Sequence, residues 1–343
     1  MGWQKIFSGL KQKRRERTAI KAAARRQESR LQDAIEHVVN EINPKIRGIS
    51  GYRKKLRPCV QRSLDYCAEL VARVPDSIEV SSQSWRKEPV VRALFSGVDD
   101  LRSVFSDSRE IHDFFDRHAD ARICHVLLSM DLRERTVLGM EMHGDVLKRD
   151  VKKIAVSFAD HRVVKPSLNE SELKKNLEQR AFENLIRYAL EKITELVAAR
   201  HSLEEQQRLM EMQLRVAQLK RNSLEPLIGN RDAKSVDIQA MRQQAEHASE
   251  TLRHTRARLS TLNDYIDRIE EVLGEPHTHL NVSSVSMCLN EMNIKLDEKS
   301  SSAGKVLDFS EAHLGDQLKR ILLIARFPRD ELLPRKDLFA KTI

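Results

Sequence analysis

No stretch of the chain has the ~18 consecutive apolar residues that a membrane-crossing helix needs, so no transmembrane segment is expected. Residues 1–24 hold no apolar run of the kind a secretory leader carries, and export by that route is not expected. Ile6 stands where the myristoylation pattern requires Ser or Thr, which removes that anchor as well. Cysteine is sparse: Cys59, Cys67, Cys124 and Cys288 are scattered singly, without a Cys-x-x-Cys pair. They read as small buried hydrophobes in a reducing compartment, so the expected location is cytoplasmic, at most peripheral at a membrane surface. Aromatics make up only 5% of residues while charged residues make up 32%, the composition of a helix-rich protein with thin apolar seams and little bulky core.

Catalytic signatures are missing too. No Gly-x-Gly-x-x-Gly, Gly-x-Ser-x-Gly or His-Glu-x-x-His occurs. Gly304-Lys305 resembles the end of a phosphate loop, but Lys299 sits where the first glycine belongs and Val306 where Ser or Thr belongs. His277 and His279 are two apart, and His125, His143 and His161 fall on or beside expected strands, yet their spacing matches no zinc pattern. Asp160-His161 is adjacent in sequence, and neighbours on a strand point to opposite faces. No catalytic residue, cofactor or metal ligand is therefore assigned.

What the chain does have is heptad order. Phe182, Ile186, Ala189, Ile193, Leu196, Arg200, Leu203, Gln207, Met210, Leu214, Ala217, Arg221, Leu224 and Ile228 step strictly by four and three, the 3.5-residue period of a coiled-coil seam. Ile238, Met241, Ala245, Ala248, Leu252, Thr255, Leu259, Leu262, Ile266, Ile269 and Leu273 repeat the pattern. Between the two lies Gly229-Asn230-Arg231-Asp232, a turn-forming run. The expectation is one antiparallel helical hairpin, about 50 Å long at 1.5 Å per residue. Arg200, Gln207 and Arg221 interrupt the first seam, either fixing register or laying their stems along its open side. Leu190, Val197 and Val216 lie off the seam and point to a second stripe.

Charge is placed unevenly. Residues 1–30 carry ten Lys or Arg against Glu16 and Glu28, and residues 31–62 carry seven against three acids, so residues 1–62 hold +12 of a net +9 and the remainder −3. Lys11, Lys13, Arg14, Arg15, Arg17, Lys21, Arg25 and Arg26 form the densest run, preceded by Trp3, Ile6, Phe7 and Leu10 at helical spacing. Three readings fit this end: a helix on an anionic membrane with the four apolar residues inserted, a sequence-independent clamp on nucleic-acid phosphates, or a solvated face whose apolar positions dock on the rest of the protein.

The expected fold is α+β and predominantly helical, with a small antiparallel sheet body. The expected divisions are a basic helical hairpin over 1–74, a linker with short helices over 75–120, a three-stranded meander over 121–166, the coiled-coil arm over 167–275, and the rest of the body with a tail over 276–343. The meander strands are Ile123–Met130, Thr136–Met142 and Val151–Val164, with Asp131–Arg135 as a turn. Ser167 and Glu170 read as a capping box opening the arm. Functionally, the reading is a non-enzymatic adaptor or scaffold whose arm holds a protein partner or a second copy, while its basic end holds an anionic surface. The alternatives are a nucleic-acid-associated protein and an enzyme built on the sheet.

Overall fold

The computed structural model describes residues 3–143, 146–222, 238–257, 261–296, 304–315 and 318–335, with side chains from Lys21 on save at 23, 141–148, 220–222, 238, 239, 241, 254–257 and 318. It is a mixed α/β chain of two compact units: Met1–Ser63 with Leu185–Glu275, and Leu64–Asn184 with Pro276–Ile343.

The first unit is helical. Helix α1 spans Trp3–Ile42, within the stretch 1–74 expected as a helical hairpin, and α2 spans Tyr52–Ala72 and continues into the second unit. Between them Asn43 caps a short 3-10 turn by accepting the Lys45 N–H, and Gly51 at φ +75 supplies the left-handed step before α2. Pro58 lies inside α2, since Tyr52 begins the helix six residues earlier. Pro58 cannot donate to the Lys54 carbonyl, a helix-weakening feature that the surrounding burial of Leu56, Cys59 and Val60 offsets. Ion pairs join the helices: Arg57 grips Glu28 in a two-pronged bond (2.6 and 2.5 Å), and Arg53, Arg47 and Tyr52 converge on Glu36. These contacts hold the Glu28 and Glu36 carboxyls below the usual range, through the Arg57 and Tyr52 hydrogen bonds respectively. Burial pushes the Cys59 thiol up to about 12, so it is an inert hydrophobe.

The second unit carries the sheet. Strands are β1 (Ile78–Glu79), β2 (Ile123–His143), β3 (Val146–Ser167), β4 (Leu280–Leu289), β5 (Ile294–Lys295), β6 (Lys305–Leu314) and β7 (Leu318–Pro328). The sheet is larger than expected and mixed: its order is β1-β7-β2-β3-β5-β4-β6, with β1 parallel to β7 and all other pairs antiparallel. Since β6 also pairs with β7, the circuit β2-β3-β5-β4-β6-β7 closes on itself, which leaves fewer free edges for unwanted pairing.

The three-stranded meander is a two-stranded ribbon instead. Asp131–Arg135 is not a turn; β2 runs through it, paired from Asp131↔Ala159 to Arg135↔Ala155. The register slips three times, and at each slip β3 carries a residue in the left-handed region: Lys165 (φ 56), Asp160 (φ 51) and Asp150 (φ 60). These are bulges, and each resets the in–out alternation on which strand reading depends.

Two layers cover the sheet within this unit. On one face, α3 (Ser82–Lys87), α4 (Pro89–Leu94), α5 (Val98–Ser106) and α6 (Arg109–Arg117) bury Phe95, Phe105, Phe114 and Phe115 against Val126, Leu128, Met130 and Phe327. The run 75–85, expected as a polar linker, contributes β1 and a Ser81 capping box that starts α3. On the other face lie the end of α2 and the start of α7 (Glu170–Asn222), burying Leu70, Val71, Val74, Leu173 and Leu177. The cap of α7 is Asn169, whose Oδ1 accepts the Glu172 N–H (2.9 Å), not Ser167, which ends β3.

Glu170 in the first turn of α7 accepts from Ser77 Oγ (2.7 Å) and pairs with Lys174 (2.7 Å), and the Lys174 bond and Ser77 hold its carboxyl at about 2. A carboxyl depressed in the folded state stabilises above its unfolded value of 4.5 and loses that contribution as pH falls toward about 2. Glu170→Gln is expected to cost about 2 kcal/mol near neutrality, after allowance for solvent screening, and to flatten the acid limb between these pH values. Urea melts at a series of pH values check this; parallel curves for both proteins would refute it.

Candidate functional site

The long helix α7 supplies the most distinctive surface. Between Leu196 and Ala217, every expected seam residue is half-buried: Leu196, Arg200, Leu203, Gln207, Met210, Leu214 and Ala217. Ile193 is buried above them, and Leu252 is buried on α8 (Ile238–Ala257). Arg200 and Gln207 use partners one turn on, Glu204 (3.8 Å) and Glu211 (2.9 Å), so they need no exotic role. The second seam helix is not continuous. After α8, Thr261 starts a new helix, α9 (Leu262–Gly274), through a capping box with Asp264, and Ile266, Ile269 and Leu273 are buried on it while Leu262 is half-buried. The physical reason is local: Ser260-Thr261-Leu262-Asn263-Asp264 carries a strong N-cap signal inside the heptad run. Leu224, Ile228, Leu259 and the turn 229–232 lie outside the described residues.

A second apolar row runs along α7. Leu209 (56% exposed), Met212 (62%), Val216 (47%) and Leu219 (65%) step by three, four and three. At 100° per residue they sit roughly 150° round the helix from the seam. Arg208 and Arg215 flank this row on one side and Gln206 and Gln213 on the other, all exposed, while exposed Glu205 continues the row one turn before Leu209 and exposed Glu211 stands one turn from both arginines.

At the basic end, α1 is continuous from Trp3, and Lys21, Arg25 and Arg26 are exposed on it. Trp3, Ile6, Phe7, Leu10, Lys11, Lys13, Arg14, Arg15 and Arg17 lie on the same helix; their side chains are outside the described set.

The histidines are dispersed. His161 stacks on Phe95 (5.1 Å between ring centres) and places Nε2 3.0 Å from the Leu94 carbonyl, a satisfied packing role. Asp160 turns instead to Arg320 and Arg162, so no acid–base pair forms with His161. His125 sits opposite Arg326 on β7, and burial lowers its pKa. His277 is exposed and His279 half-buried. Among the described residues, no three His, Cys, Asp or Glu side chains gather as a metal site.

Two features escape sequence reading. Arg320 on β7 spends its whole guanidinium on the protein: Nε donates to Ser129 Oγ (2.6 Å), Nη1 to Asp131 and Asp160 (both 2.8 Å), and Nη2 to the Ser129 and Asp160 carbonyls (3.2 and 2.5 Å). It straps β7, β2 and β3 together at the bulge where the ribbon departs. Beside it, on the α2/α7 side of the sheet, lies a cavity of about 180 Å³ lined by aliphatic side chains from Leu70 on α2 and Leu177 on α7 to Val282 and Leu322 on the strands. Its lining comes from six elements far apart in the chain, so no local pattern announces it. The one available signal was Arg320, a charge in the alternating apolar run of β7.

Comparison with protein-family models, with curated proteins and with solved structures gives no match.

Proposed function

We propose that this chain is a non-enzymatic adaptor of the cytoplasm that docks a partner helix along α7. In this reading the half-buried row of α7 pairs with α8 and α9 as an antiparallel coiled coil, and the exposed row Leu209, Met212, Val216 and Leu219 receives the partner. The observation that carries it is that exposed row. Four large apolar side chains in heptad register on a solvent-facing helix mark an interaction surface rather than ordinary scatter. Its flanks favour one occupant: Arg208 and Arg215 are matched by a helix with Asp or Glu beside its own apolar row. The basic end of α1 supplies a second, independent attachment to an anionic surface.

The test uses the full chain and a Leu209→Gln, Met212→Gln, Val216→Gln, Leu219→Gln variant. Each is titrated with a synthetic helix bearing Leu at its seam positions and Glu at the flanks, and with the same helix bearing Lys. Binding of the Glu helix alone, lost in the variant, is expected. Equal binding of both helices by both proteins would contradict the reading, and a dimer seen by sedimentation that the variant dissolves would replace the partner with a second copy. Anionic liposomes and duplex DNA offered in two salt concentrations separate the surfaces for α1. DNA binding with a steep salt slope would favour the nucleic-acid alternative.

A further inference from the structure

We propose that the cavity between the sheet and the α2/α7 layer is a binding site for a small amphiphile: an alkyl or ring tail carrying an anionic head. This site is independent of the partner-docking row, since its lining ends at Asn184 and the row begins at Leu209.

Size sets the tail. A cavity of about 150 Å³ accepts a benzene-sized guest, so the 180 Å³ here takes a ring or an alkyl segment of about six carbons. The wall sets its character. Leu70, Val71, Val74, Leu177, Leu280 and Val282 are buried aliphatics that offer a guest no hydrogen bond.

Charge sets the head. The lining holds two arginines and no acid. Arg320 has no donor to spare, as all its N–H groups already serve Ser129, Asp131 and Asp160. Arg180 differs. It is the one exposed residue of the lining, and it makes no hydrogen bond or ion pair among the described residues. An exposed guanidinium at the rim of an apolar cavity fits a carboxylate or phosphate whose tail enters the wall. A cationic or zwitterionic head gains nothing there.

The experiment titrates the full chain, by calorimetry, with a series of linear carboxylates from butanoate to decanoate, and with octyl phosphate, octanol and octylammonium. Affinity is expected to rise about fourfold per added methylene and to level off once the tail exceeds the cavity, with the two anions above the alcohol and the ammonium weakest. Arg180→Gln changes an exposed side chain and is expected to lower octanoate affinity about tenfold while leaving octanol unchanged. Ala312→Leu fills the space and should abolish both. If the filled variant fails to fold, the octanoate-to-octanol ratio in Arg180→Gln still decides the matter. Absence of saturable octanoate binding, or a ratio that Arg180→Gln does not alter, overturns the proposal. The relative affinity of octanoate and octyl phosphate tells whether a carboxylate or a phosphate head is preferred.

Discussion

Phe327→Ala is expected to destabilise the sheet unit by about 4 kcal/mol, the cost typical of emptying a large aromatic site in a core that cannot collapse. Phe327 is fully buried on β7, the strand that pairs with β1, β2 and β6. Its ring stacks on Phe105 of α5, centres 4.4 Å apart and planes nearly parallel, so the substitution also removes an aromatic pair between sheet and helices. The strands around it are fixed by ladders on both sides and cannot close the gap. Trp85 reports the event: its indole N–H bonds the Phe95 carbonyl (3.1 Å) within the same core. In a Trp3→Phe background, urea unfolding followed by Trp85 fluorescence should show a much lower midpoint. A shift below about 1 kcal/mol would mean that this aromatic pairing does not hold the unit together.

Arg320→Leu is the second large effect, expected at about 3 kcal/mol. The side chain is only 11% exposed, and it satisfies Ser129, itself buried, through both hydroxyl and carbonyl. Hydrogen bonds to a charged donor are worth more than neutral ones, and their loss here leaves buried acceptors unpaired. The carboxylates add less to the total, because Asp131 and Asp160 are 36% and 40% exposed and water screens them. The loss is local as well as global. Without the strap, the bulge at Ser129–Asp131 loses its anchor, and amide exchange in 131–159 should quicken more than in β4 or β6. Uniform quickening across the sheet would contradict the strap assignment, and Arg320→Lys should recover only part of the loss, since an ammonium cannot reproduce the planar fork.

These two residues show why the helices were legible and the sheet was not. α1 follows its periodicity from Trp3 to Ile42, and the four–three steps of α7 coincide with its half-buried positions. A helix repeats one local rule, and the sequence states that rule at every turn. The sheet depends on slips. At Asp150, Asp160 and Lys165 the chain takes a left-handed step at a bulge, and the polar run Asp131–Arg135 that resembles a turn is paired ladder inside a continuous ribbon. β7 reads as strand or helix in isolation because its central run Ile321–Ala325 is apolar without a break; its strand identity comes from partners more than a hundred residues away in β2. β1 is two residues long and exists only by its parallel pairing with Ala325 and Arg326. The cavity is a product of that same long-range assembly, so apart from the charge of Arg320 on β7 the sequence carries no sign of it. On α7, Val216 off the seam points to the second row in sequence, while Leu209, Met212 and Leu219 join it through their exposure on the folded helix.

The most direct measurement is amide hydrogen exchange across 203–222 of the full chain, alone and with the Glu-flanked helix. Docking on the exposed row would order and shield that stretch of α7, so slowed exchange confined to it, and absent in the four-glutamine variant, is expected. Unchanged exchange there at saturating peptide would contradict the claim that α7 is where this protein meets its partner.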